Sequence, residues 1–181
     1  MGKTKGSAVL NAVKLLRARK DDAARLVPPA LRHYLEERVV VASWYPEEDL
    51  IALIVTCAAL LPVPRDSVFE TMGAHSARTH LEGVYADLLH RGPTTRARTL
   101  WKTQHDTGVL SVTSETPSSV TYELVGWDHG SAEYCQLLGG YFAEVHRLAG
   151  AANPTFLHPT CRSARSPRCV WVVRWEPASP A

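Results

Sequence analysis

The sequence predicts an α+β fold, with N-terminal helices packed on an antiparallel sheet made of two hairpins separated by a helix. Three observations predict it. Apolar residues recur at helical spacing through most of 7–105. Two pairs of short alternating runs lie within 107–175, each pair joined by a polar connector. Between the pairs, 131–150 places Tyr134, Leu137, Leu138, Tyr141, Phe142, Val145, Leu148 and Ala149 on one helical stripe that Gly150 ends. The expectation is a single domain over 1–181: 7–105 mainly helical, 107–175 a hairpin-helix-hairpin unit with a metal site, and 176–181 a frayed tail.

In chain order, Ser7 caps a first helix whose stripe is Val9, Leu10, Val13, Leu15 and Leu16, closing in Arg17, Arg19 and Lys20, cations suited to a helix C-terminus. Asp21 caps a short helix through Leu26, and Pro28-Pro29 restarts one through Leu31, Tyr34 and Leu35. Residues 39–43 form a short β-branched run that Trp44-Tyr45-Pro46 ends, since the residue before proline is driven out of the helical region. After the acidic start Glu47-Glu48-Asp49, residues 50–61 are apolar nearly all round, with Cys57 as packing, until Pro62 and Pro64 stop them. That run falls short of the roughly 20 residues a bilayer span requires, so it reads as a core helix. Asp66 caps what should be the longest helix, to about residue 90, through Val68, Phe69, Met72, Ala77, Leu81, Val84, Tyr85, Leu88 and Leu89. His75 and His80 lie about 140° apart around it and share no metal-binding face. A helix over 95–105 carries Leu100 and Trp101, and strands over 108–113, 120–127, 155–161 and 169–175 complete the sheet.

Chemistry concentrates in the last third. Cys135 sits at a helix start, His158 near a strand end, Cys161 at that end, and Cys169 at the start of the next strand. Three sulfurs and an imidazole are a full tetrahedral set for a structural zinc ion. Arg162, Arg165 and Arg168 beside it offset the negative charge of three thiolates. Two other readings stand: a Cys161–Cys169 disulfide, or three inert buried thiols. His158 is the least secure ligand, because a straight strand sends residues 158 and 161 to opposite faces and Pro159 must redirect it. Asp128, His129 or Glu133 could replace it.

On these residues the chain resembles the ligand-binding superfamily that includes 4-vinyl-reductase-type domains, the phenol-sensor domains of bacterial activators, heme-NO-binding domains and TRAPP tethering subunits. The phenol-sensor branch carries zinc on one helix-start cysteine and three ligands of the closing hairpin, which fall on Cys135, His158, Cys161 and Cys169, with His158 in place of an acidic ligand. The chain is also similar to a group of myxobacterial proteins through Lys5-Gly6-Ser7, Ser43-Trp44-Tyr45-Pro46 and the closing cysteine hairpin; no activity comes with that likeness. Heme is disfavoured, because the Tyr-x-Ser-x-Arg signature of the heme-binding relatives is absent.

A formal charge of +2 across 181 residues favours neither nucleic acid nor an anionic membrane as partner. The opening residues carry no signal-peptide run and fail the myristoylation pattern, which places the chain in the cytoplasm. There a disulfide is disfavoured. No nucleophile, base and orienting group stand together, and a metal closed by four protein ligands has no open position, so the expectation leans against an enzyme. The resemblance implies a small-molecule-sensing or regulatory domain with structural zinc, binding an apolar or aromatic ligand between helices and sheet, acting through a protein partner and forming a homodimer. The alternative is an assembly module of the TRAPP kind with no small ligand.

Overall fold

Six α-helices and six strands form where the hydrophobic periodicity places most of them, in a computed structural model that describes residues 2–83, 86 and 90–176. The order is β1 (Lys3–Lys5), α1 (Gly6–Ala18), α2 (Lys20–Leu26), a 3-10 segment (Pro29–Leu35), β2 (Trp44–Pro46), α3 (Glu47–Leu60), α4 (Val68–Glu82) and α5 (Pro93–Gln104). It continues with β3 (Val109–Thr116), β4 (Ser119–Val125), α6 (Ala132–Arg147), β5 (Ala152–Thr160) and β6 (Arg168–Glu176). The α+β architecture is as expected. The two hairpins join through β4 and β6 into one antiparallel sheet of order β3-β4-β6-β5. The expected residues at Val84, Tyr85, Leu88 and Leu89 and the tail beyond Glu176 lie outside the described residues.

Alternation fixes which face of the sheet is inside. Val120, Tyr122 and Leu124 of β4 and Cys169, Trp171 and Val173 of β6 are all buried, and the register pairs Tyr122 with Trp171 and Leu124 with Cys169. Burying each large apolar side chain contributes roughly 1.5–3 kcal/mol. Helix α6 lies on this face, with Phe142 stacked on Tyr122 at 4.6 Å and edge-on to Trp171 at 5.4 Å. Its other side meets α4 at a backbone-to-backbone crossing. A Cβ on Gly73 would sit 1.9 Å from the Leu137 carbonyl oxygen, and one on Gly140 would sit 2.2 Å from that of Glu70. Only glycine admits so close an approach.

Several boundaries differ from expectation. The extended segment is Trp44–Pro46 rather than 39–43, because it has a partner that the sequence did not suggest: Lys3–Lys5, with Thr4 opposite Tyr45. Helix α1 begins at Gly6, so Ser7 lies inside it, and α4 begins at Val68 after Ser67 rather than at Asp66. Among the described residues α6, at 16 residues, is longer than α4, at 15. Glu47, one of the three acids that open α3, is wholly buried. No described helix is long and apolar enough to cross a membrane.

Candidate ligand cavity and thiol cluster

Helices α1, α3, α4, α5 and α6 line a partly open cavity of about 670 Å3, within the roughly 300–1,000 Å3 of small-molecule sites. Leu50, Ile54, Leu100, Leu137, Leu138 and Phe142 give it apolar walls. One polar group crosses it: His80 lies 3.2 Å from the Asn11 amide, 3.2 Å from the Tyr141 hydroxyl and 3.4 Å from the Gln104 amide. Burial lowers the His80 pKa to about 4, so the ring is neutral.

A second polar group is more unusual. His105 follows the last turn of α5 and stacks on Trp101 at 3.9 Å. Its Nδ1 lies 2.5 Å from Oε1 of Glu47, whose Oε2 accepts the Trp127 indole N–H at 2.7 Å. A carboxylate only accepts, so a neutral ring carries its proton on Nδ1 and presents a lone pair at Nε2. That Nε2 is 3.5 Å from the Tyr134 hydroxyl, and both residues line the cavity. Burial, and then the charge of Glu47, push the Tyr134 hydroxyl well above its ordinary pKa.

The N-terminal strand holds this pair in place. The Glu47 N–H donates to the Gly2 carbonyl at 3.0 Å, Thr4 bridges to His105, and the Asp106 N–H donates to the Lys3 carbonyl at 3.1 Å. Strand β1 thus stitches the start of α3 to the end of α5. Sequence reasoning missed this group. Glu47 looks like an ordinary first-turn acid, and only the Trp101, His105 spacing of four, which puts both rings on one helical face, hinted at it.

On the far side of α6 the structure brings together all four residues singled out by spacing. The ligand-type atoms of Cys135, His158, Cys161 and Cys169 lie within 4.8 Å of one another, and among the described residues theirs is the group able to hold a metal ion. Asp128, His129 and Glu133 are outside it; Glu133 instead accepts from the Ser131 hydroxyl at 2.8 Å. A bulge solves the strand problem. Leu157 pairs with Val172 but Thr160 with Val170, so β5 carries one extra residue at His158-Pro159, and residues 158 and 161 turn to the same point.

All four cysteines of the chain are free thiols, so no disulfide joins Cys161 to Cys169. The Cys135 sulfur is 3.6 Å from that of Cys161 and 3.6 Å from that of Cys169. Its hydrogen bond to Cys169, and then burial, raise the Cys135 pKa. The same bond, with His158 and the Arg162 N–H, lowers Cys169 to about 4 against the opposing effect of burial. Burial would raise Cys161, but Ser163 and His158 outweigh it and hold its pKa down. Burial disfavours charge on His158, yet its bonds to Cys169 and Cys161 raise its pKa.

No protein-family model matches the sequence, and no curated protein matches it. Solved structures do match, several H-NOX domains among them. One is a single-residue mutant of a Shewanella oneidensis H-NOX domain in an Fe(II)CO state, 13% identical over 95% of this chain and 98% of that one, with a TM-score of 0.66. Another is an oxygen-binding H-NOX domain related to soluble guanylate cyclases, in its oxygen complex, 10% identical over 98% of both chains at 0.61. A third comes from work on heme distortion in the H-NOX family, 11% identical over 98% of both chains at 0.61. At such identities the likeness shows the fold.

Two expectations fall with this finding. The resemblance to 4-vinyl-reductase domains, phenol sensors and TRAPP subunits gives way to a likeness in fold to H-NOX domains, because it rested on one helix start and one hairpin, whereas the H-NOX match runs the length of the chain. Zinc as the cofactor rested on the four-residue set and its context as well as on the phenol-sensor pattern, and the solved structures correct it. The matching structures are iron and heme proteins.

Proposed function

We propose that the chain is a small-molecule-sensing domain that takes its ligand in the helical cavity, and that heme is the group the cavity residues fit. The carrying observation is His105, a cavity-lining imidazole whose Nδ1 is fixed by the buried Glu47 carboxylate. Metal-ligating histidines commonly donate their second ring N–H to a carboxylate, which fixes the tautomer and raises ligand basicity. Histidine is also a common axial ligand of heme iron. The apolar walls suit a macrocycle, and Lys14 lines the cavity as a cation for its carboxylates, Arg78 being engaged by Glu144 at 2.8 Å. Lys14 stands in for the absent Tyr-x-Ser-x-Arg signature, the ground on which the sequence disfavoured heme. Heme bound there supplies an iron centre for a small gaseous ligand. The residues do the rest: Glu47 and Trp127 hold the His105 ring, and the apolar helical walls pack against the macrocycle.

The test is titration of the purified protein with hemin, followed by its Soret absorbance. One equivalent should give a histidine-ligated spectrum that His105→Ala loses while His80→Ala keeps it. Bound ligand should also raise the melting temperature, about 2.7 kcal/mol of stabilisation at a hundredfold excess over Kd. No saturable Soret change, or an unchanged spectrum in His105→Ala, overturns the heme assignment. A melting shift with small aromatic compounds but not with hemin would keep the sensing role and change the ligand.

A further inference from the structure

The turn that enters β2 carries apolar side chains in water. Val40, Val41 and Trp44 are 46%, 43% and 42% exposed, and they fall within residues 40–44, a run that is exposed throughout. Hydrophobic residues scattered singly over a surface are ordinary, whereas a contiguous set marks an interaction site.

This exposure does not come from looseness. The Val40 N–H donates to the Tyr45 hydroxyl at 2.8 Å, the Ser43 N–H to the Val40 carbonyl at 3.1 Å, and the Gly6 N–H to the Ser43 carbonyl at 2.9 Å. The Lys5 ammonium donates to the Ala42 carbonyl at 2.9 Å and sits 4.0 Å over the Trp44 ring. Strand β1 and the start of α1 thus hold the turn in shape. A surface organised in advance loses little conformational entropy when it docks.

Cations accompany the apolar side chains. Lys3 and Lys5 share one face of β1, since Thr4 between them is buried, and Lys5 pairs directly with Trp44. Arg38 is exposed just before the turn, and no acid occurs from Arg38 to Pro46. The acids in reach are otherwise placed: Glu36 lies 3.9 Å from Lys20, Glu47 is buried, and Asp106 accepts the Lys3 backbone N–H at 2.5 Å. Glu37 and Glu48 lie outside the run. An ammonium carries three donors, so Lys5 keeps donors for phosphate oxygens beyond the one it gives to Ala42.

We propose that residues 40–44, with Lys3, Lys5 and Arg38, dock reversibly on a bilayer surface of anionic phospholipid. Val40 and Val41 enter the boundary between headgroups and acyl chains, and the Trp44 indole takes the interfacial position such rings favour. The three cations meet lipid phosphates. A small total charge of +2 does not oppose this, because the cations concern one turn rather than the whole surface. A lipid surface fits better than a protein partner: a stable protein interface buries about 800 Å2 on each side, whereas this is one short turn with three apolar side chains.

The experiment mixes the full chain with vesicles of phosphatidylcholine and phosphatidylglycerol in equal parts, or of phosphatidylcholine alone, and follows cosedimentation and tryptophan emission. Trp101, Trp127 and Trp171 are buried and Trp175 is half-buried, so a blue shift on binding should vanish in Trp44→Phe. The mixed vesicles should sediment the protein at low salt, and added salt should weaken binding. Val40→Ser combined with Val41→Ser should lower the partition coefficient about tenfold or more, with the urea midpoint close to that of the wild type. Lys3→Gln combined with Arg38→Gln should also lower it and flatten its salt dependence. No sedimentation with the mixed vesicles overturns the proposal. So does equal binding to phosphatidylcholine alone, or unchanged binding in the double serine variant. Concentration-dependent dimerisation that the double serine variant abolishes, without vesicle binding, assigns the turn to a second copy of the chain and overturns the lipid assignment as well.

Discussion

Replacing Glu47 separates the role of its charge from the role of its shape. The carboxylate accepts from two buried donors, His105 Nδ1–H at 2.5 Å and Trp127 Nε1–H at 2.7 Å, and is itself fully buried. Glu47→Ala leaves both donors without an acceptor, at about 1–3 kcal/mol each, or about 2–6 kcal/mol together. Glu47→Gln is gentler for a specific reason. Indole can only donate, so the amide oxygen must take the Trp127 N–H. The amide NH2 then faces His105, whose Nδ1 becomes an acceptor and whose proton moves to Nε2. Two charge-assisted bonds become neutral ones, a loss of about 1–3 kcal/mol. Urea unfolding should therefore rank wild type above Glu47→Gln above Glu47→Ala. Nitrogen NMR of the His105 ring should report a change of tautomer in Glu47→Gln, and its hemin ligation should weaken even though it folds. Equal midpoints for the two variants, or an unchanged tautomer in Glu47→Gln, would refute the reasoning.

Three other outcomes test separate parts of the structure. Gly140→Ala should destabilise the protein by about 1–3 kcal/mol, because overpacking at the α4–α6 crossing outweighs the roughly 1 kcal/mol that alanine gains in a helix; a more stable variant in thermal unfolding would show a looser crossing. Stability should fall with pH between about 6.5 and 4, because His80 takes its proton near 6.5 when unfolded and at about 4 when folded, so the unfolded chain holds more protons in that window. His146, lowered to about 4 by burial and then by Arg96, acts in the same direction, and His80→Gln should flatten the profile measured by urea midpoint. Leu53→Asp should prevent soluble expression, since Leu53 is fully buried in α3; a normally folded variant would mean that this face of α3 is open.

Much of the framework was legible because burial imposes a period. The alternation over β6 placed Cys169, Trp171 and Val173 inside, with Trp175 on the same face half-buried, and the helical stripe of α6 predicted its buried face from Tyr134 to Val145. The thiol cluster was legible too, because its members sit at or near element ends, the start of α6, the end of β5 and the start of β6, which the fold brings to one point. What escaped depends on tertiary pairing. Strand β1 has three residues and no periodicity to read, and it exists because Trp44–Pro46 lies beside it. Glu47 has the same composition signal whether it caps α3 in water or lies under Trp127.

The cavity group and the thiol cluster share α6 at adjacent residues. Tyr134 reaches His105, and Cys135 meets Cys161 and Cys169. Any event that moves the first turn of that helix is therefore felt at both. The Trp171 indole on the Cys135 carbonyl, at 2.9 Å, is the contact that resists such movement. Trp171→Phe removes that bond while keeping an aromatic ring against Phe142. If the helix start couples the sites, Trp171→Phe should change hemin affinity and the rate at which the cluster thiols are alkylated together. A change in one without the other would mean that the turn transmits nothing between them.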